Sequence, residues 1–262
     1  VAKSQNNLAN MIVFDSGLND NGVKPLIQAL IINEIANHLT RPLHEYFDVI
    51  AGSSFGATMG AMLAIERTPL EMFYFFLQLK ESFKTPILSY QESNTAHLEK
   101  CLQHEFGSDI RLCDIALKHR KHLMLMAARI GHEPITLKVL HSHSAQSAFD
   151  QANMIGRFTH NDHRLMPLWQ ACRASGSGLA SYKSYGQYYD GALLSSNPTL
   201  DALAHYSCMY QDAQIPNEEC DTEPQLSPLC FVLSIGSGMP PIKRDVPAID
   251  INTFTTMNPA EL

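Results

Sequence analysis

Charge is scarce in this chain. Of its 262 residues only 17% are Asp, Glu, Lys or Arg, while 45% are hydrophobic, a balance that excludes a disordered chain and predicts a packed core. What charge there is has the wrong sign for nucleic acid. Against 26 Asp and Glu stand 19 Lys and Arg, a net charge of −7, with no basic run. No nucleic-acid partner is predicted, and contact with a membrane has to be local and apolar rather than polybasic. Long hydrophobic runs are missing too: none reaches the length of about 18 residues that a membrane-spanning helix needs. The segment Val1 to Asn10 is polar and has no signal-peptide core. No Met starts the chain, so a fragment of a longer protein is expected, read as a single domain over residues 1–262. None of the six cysteines forms a C-x-x-C pair, which removes the usual spacing of a zinc site. Their spread predicts free thiols in a reducing, cytoplasmic compartment. Neither a metal nor a cofactor is expected.

The apolar residues come in short, bounded runs. Met11 to Phe14 reads as a buried strand that ends at Asp15-Ser16-Gly17. Pro25 then suits the first turn of a helix, with Leu26, Leu30, Ile31, Ile35 and Leu39 as its buried stripe. Phe47 to Ala51 reads as a second strand, and small apolar residues to Ile65 as a helix. Further helices are predicted over Leu70 to Phe83, over Asn94 to Phe106 and after Asn197-Pro198. Further strands are predicted over His122 to Ile130, Ile135 to Leu140 and Leu229 to Ile235. Residues 141–163, polar and rich in His, read as an exposed loop, as do residues 211–228; most of the histidines are expected at the surface. Strand, glycine-bracketed turn and helix in this order predict an α/β layered fold.

Between the second strand and its helix lies the only G-x-S-x-G of the chain, Gly52-Ser53-Ser54-Phe55-Gly56. A serine on a tight strand-to-helix turn is pushed into the open at a helix N-terminus, and Gly52 and Gly56 keep side chains out of the crowded backbone around it. The dipole of that helix favours developing negative charge. Ser54 is thus the candidate nucleophile, and the plainer alternative is an ordinary Gly/Ser turn. A base is needed. Asp190, in Tyr188-Tyr189-Asp190-Gly191-Ala192, leaves a strand just before a glycine and can act on a hydroxyl directly. The same Asp could merely cap its own turn. His205, or a histidine of 141–163, would instead make a Ser-His-Asp triad.

Several motifs, in order, carry a family resemblance: Phe47-Asp48-x-x-Ala51-Gly52-x-Ser54-x-Gly56, Trp169-x-Ala171-x-Arg173-x-Ser175-Gly176, Asp190-Gly191-Ala192-Leu193-Leu194-x-x-Asn197-Pro198-Thr199-Leu200-Asp201-Ala202 and Ser234-x-Gly236-x-Gly238. Over about residues 11–262 the chain resembles the patatin-like phospholipases, most of all the catalytic domain of the group VI calcium-independent phospholipases A2. That resemblance implies a three-layer fold, with a mostly parallel central sheet and helices on both faces. It also implies a lipid acyl hydrolase that cleaves glycerophospholipid acyl esters through a Ser54–Asp190 dyad and an acyl-enzyme, without metal or cofactor. The implied partner is phospholipid at a membrane surface, met by peripheral association; a homo-oligomer is compatible with it. Family members often carry ankyrin repeats ahead of this domain and more helix after it.

The family's glycine-rich oxyanion loop maps onto Asp15 to Pro25, with Gly17 and Gly22 as the implied donors. Here Ser16 and Pro25 stand in for glycines, and Leu18 to Asn21 look inserted. Phe55 and Ala57 replace small residues beside the nucleophile. If the insertion misaims the donors, the alternative is a catalytically weak module that binds lipid or a partner.

Overall fold

The computed structural model describes residues 8–15, 23–81, 90–130, 134–143, 163–178, 181–213, 226–236 and 238. The first strand, β1 (Ala9–Phe14), pairs in parallel with β2 (Val49–Ser53) on one side and with β6 (Leu229–Ile235) on the other. Strand β3 (His122–Arg129) adds in parallel to β2, then β4 (Thr136–His141) and the short β5 (Tyr188–Asp190) pair antiparallel to β3. The result is a mixed sheet of six strands in the order β4-β3-β2-β1-β6, with β5 alongside β3. Parallel strands are covered on both faces, and here the residues alternate accordingly. Ile12, Phe14, Ile50, Leu123 and Leu125 point into one core, and Met11, Val13, Val49, Ala51, Met124 and Met126 into another.

The helices divide unequally between these cores. On the first face lie α1 (Val23–Asn37), α2 (Phe55–Ala64), α3 (Pro69–Glu81), α4 (Gln91–Phe106), α5 (Leu112–His119) and α6 (Leu168–Ser175). The second face is covered by α7 (Thr199–Ala213) through Ala202, Tyr206 and Met209. Leu98, Leu102 and Phe106 of α4 are all buried, as their four-residue spacing predicts. Helices α5 and α6 are not anticipated by the sequence reading. Among the described residues, no helix is long and apolar enough to cross a membrane.

Two expectations are corrected. In α1 the buried residues are Pro25, Leu26, Gln28, Ala29 and Ile32, whereas Leu30 and Ile31 are 55% and 40% exposed. Apolar residues surround this helix, so period alone does not choose its face. The choice is made by Gln28, whose Nε2 donates to the carbonyl and Oδ1 of Asp15 and, at 2.9 Å, to the carbonyl of Ile235. The start of the 141–163 segment is also not exposed: His141, Ser142 and His143 are buried, and His163 opens a short 3-10 turn. Residues 144–162, like 214–225 and Cys220, lie outside the described residues.

Histidine is correspondingly more internal than its polarity suggests. His141 packs against His163 and His205 with ring centroids 4.6 and 4.9 Å apart, and His122 against His143 at 5.0 Å. Burial first, then the neighbouring His143, Arg120 and His141, hold His122 down at a pKa of about 3. The unfolded chain therefore takes up a proton below about pH 6.5 that the folded chain refuses. Stability is fully present above that pH and falls as acid is added towards pH 3. Between pH 7.5 and pH 5.5 the urea midpoint of the native chain is expected to shift downward relative to that of a His122→Gln variant, which lacks the titrating ring.

Candidate active site

Strand β2 and helix α2 meet at Ser54, and the turn leaves almost no room. A Cβ on Gly52 would stand 2.2 Å from the carbonyl oxygen of Gly56, and one on Gly56 would stand 2.4 Å from that of Phe14. Only glycine fits at either position. Ser54 itself is forced to φ 57° and ψ −130°, a conformation an L-residue holds only under constraint from its surroundings. Two neighbours supply part of that constraint. The Ser54 N–H donates to Ser175 Oγ at 3.0 Å, and the Ala57 N–H closes the first turn of α2 on the Ser54 carbonyl.

Asp190 arrives at the end of β5, where it pairs with Ala127 of β3. Its two oxygens divide the work. One, Oδ1, accepts the Ala192 N–H at 2.8 Å, and the other, Oδ2, accepts the Ser54 hydroxyl, also at 2.8 Å. One carboxylate therefore both caps its own turn and accepts the Ser54 hydroxyl. The carboxyl is only 2% exposed. Burial, opposed by the hydrogen bonds from Ala192 and Ser54, pushes its pKa up to about 6.

Among the described residues no histidine enters this arrangement. His205 and His141 pack on one another, and the hydrogen bond made by the Ser54 hydroxyl goes to a carboxylate. Beside Ser54, Phe55 sets its ring edge-on to Phe76 and Tyr182, with centroids 5.8 and 6.2 Å away, and Ala57 is buried beneath. Gly17, Gly22 and the stretch Leu18 to Asn21 lie outside the described residues. The described base of that loop is tied down: the Asp15 N–H donates to the Ile235 carbonyl, and the Gln28 amide grips Asp15 from α1. Among the described residues no group of His, Cys, Asp or Glu is arranged to hold a metal ion. Ser175 is the residue the sequence reading passed over. It stands in the quoted motif next to Gly176, but its partner is 121 residues away.

A model of the patatin-like phospholipases matches residues 22–203, well over half of the chain. The chain belongs to the patatin-like phospholipase family. The elbow at Ser54 and the Asp190 that meets it both fall inside the matched region of that family model. Among curated relatives, the 85/88 kDa calcium-independent phospholipase A2 of Rattus norvegicus is 28% identical over 254 residues, 94% of this chain and 29% of its own. The intracellular phospholipase A2 of Caenorhabditis elegans is 27% identical over 233 residues, 88% of this chain and 20% of its own. This patatin-like chain thus spans less than a third of the length of either relative.

Proposed function

We propose that this patatin-like chain is a single catalytic domain, residues 1–262, which hydrolyses acyl esters of glycerophospholipids in the manner of a calcium-independent phospholipase A2. The observation that carries the proposal is the 2.8 Å hydrogen bond from the Ser54 hydroxyl to buried Asp190 at a strained strand-to-helix turn. Family membership supports it independently. In this reading Ser54 Oγ attacks the ester carbonyl carbon and its proton passes to Asp190. The tetrahedral oxyanion is met by backbone N–H groups at Gly17 and Gly22 and by the field at the N-terminus of α2. As the intermediate collapses, Asp190 gives the proton to the leaving glycerol oxygen. Water then attacks the acyl-enzyme, losing its proton to Asp190. Fatty acid is released as the Ser54 hydroxyl is restored. Phospholipid is met at a membrane surface by a peripheral, cytoplasmic protein.

Two tests separate this chemistry from others. Fatty-acid release from phosphatidylcholine vesicles is expected to persist in excess EDTA, because a serine activated by a carboxylate needs no Lewis acid. Loss of release in EDTA that calcium restores would replace the proposal with a metal-dependent lipase. Activity is also expected to fall on the acid side through about pH 6, where Asp190 takes up a proton and can no longer accept one from Ser54. An acid limb near pH 4, on protein shown to be folded at each pH, would contradict a base whose pKa is raised by burial, as that of Asp190 is.

A further inference from the structure

The strained turn at Ser54 creates a problem for its own backbone. At φ 57° and ψ −130° the Ser54 N–H is turned out of the ladder of β2 and is not part of α2, and the residue is buried. A buried N–H has to find a partner. That partner is the hydroxyl of Ser175, at the C-terminal end of α6 and fully buried. A serine hydroxyl has one proton to give and lone pairs to receive. Ser175 receives from Ser54 and gives its proton to the carbonyl of Met126 in β3. Met126 pairs with Ser53, the residue before the nucleophile, and the next residue, Ala127, pairs with Asp190. One hydroxyl therefore ties the backbone of Ser54 to the strand against which Asp190 is registered.

We propose that Ser175 is a positioning residue, whose hydroxyl holds the Ser54 turn so that the nucleophile stays in line with Asp190. The inference rests on the hydrolase reading above. Removing the hydroxyl leaves the Ser54 N–H without its acceptor, and the turn relaxes away from the geometry that Asp190 meets. Displacements of about 1 Å at a reacting group cost on the order of 10²-fold in rate.

The test is the rate of Ser54 labelling by a fluorophosphonate, together with kcat and KM on a short-chain ester, at equal folded fraction. Ser175→Ala is expected to lower the labelling rate and kcat about 10–100-fold with KM within a factor of about three. If Ser175→Ala does not fold, Ser175→Cys serves in its place, because a thiol is a weak acceptor of nearly the same shape. The control is Ser177→Ala, in which another buried hydroxyl of the same segment is lost; Ser177 bonds to Arg173, not to the turn. It is expected to lose stability and keep kcat. Full-rate labelling of the Ser175 variant, or an equal fall in Ser177→Ala, overturns the positioning role. A folded Ser54→Ala protein with undiminished turnover would instead overturn the hydrolase reading, so the two failures are distinct.

Discussion

Ser54→Ala is expected to abolish fluorophosphonate labelling and to lower ester turnover about 10³-fold or more, as is usual for a lost nucleophile. The size of the effect follows from where the hydroxyl sits. Ser54 is the residue that the elbow holds at positive φ, and its Oγ–H is the donor to Asp190. A methyl group in its place keeps the turn and the N–H bond to Ser175 but offers nothing to attack a carbonyl. The fold should be little affected, since no core side chain is truncated. Circular dichroism and a urea midpoint on the same preparation check this. Full turnover by folded Ser54→Ala would remove the serine from the chemistry altogether.

Asp190→Asn should be nearly as damaging to turnover and opposite in its effect on stability. The amide keeps the shape and can still accept the Ala192 N–H through its oxygen, but it cannot take the serine proton. Stability goes the other way because the carboxylate is ionised and buried at neutral pH. Its folded pKa, about 6, lies above the 3.8 of an aspartate free in water. Whatever stability the acid form contributes is present below pH 3.8 and lost as pH rises through 6. At pH 7 the ionised group costs the fold on the order of 2–3 kcal/mol, and the neutral amide escapes that cost. Asp190→Asn is therefore expected to raise the urea midpoint while turnover falls by about 10³-fold or more. Equal changes at His141, His143, His163 or His205 should not reproduce this pair of effects. An inactive His205→Ala beside an active Asp190→Asn would favour the Ser-His-Asp alternative.

What could be read from the chain divides by distance along it. The turn at Ser54 is a local object. Gly52 and Gly56 are required by contacts within a few residues and with the end of β1, so the order strand, G-x-S-x-G and helix is legible. Strand β6, Leu229–Ile235, matches its predicted bounds because a short apolar run bounded by turn residues has few other uses. The face of α1 is not legible, because it is chosen by Gln28 reaching Asp15 and the distant Ile235. Nor is the packing of His122, His141, His143, His163 and His205, which β3, β4, α7 and a 3-10 turn bring together from separate places in the chain. Asp190 lies between these cases. Its spacing suited both a cap and a base, and the structure uses one oxygen for each bond.

The most direct measurement is an assay of lysophospholipid and free fatty acid released from phosphatidylcholine vesicles in excess EDTA, run beside peptide mapping of the fluorophosphonate adduct. Equimolar lysophospholipid and fatty acid from the native chain, an adduct on the peptide holding Ser54, and neither product nor adduct from Ser54→Ala are predicted. A folded native chain that releases no fatty acid, or an adduct and release that survive Ser54→Ala, would contradict a phospholipase working through Ser54 and Asp190.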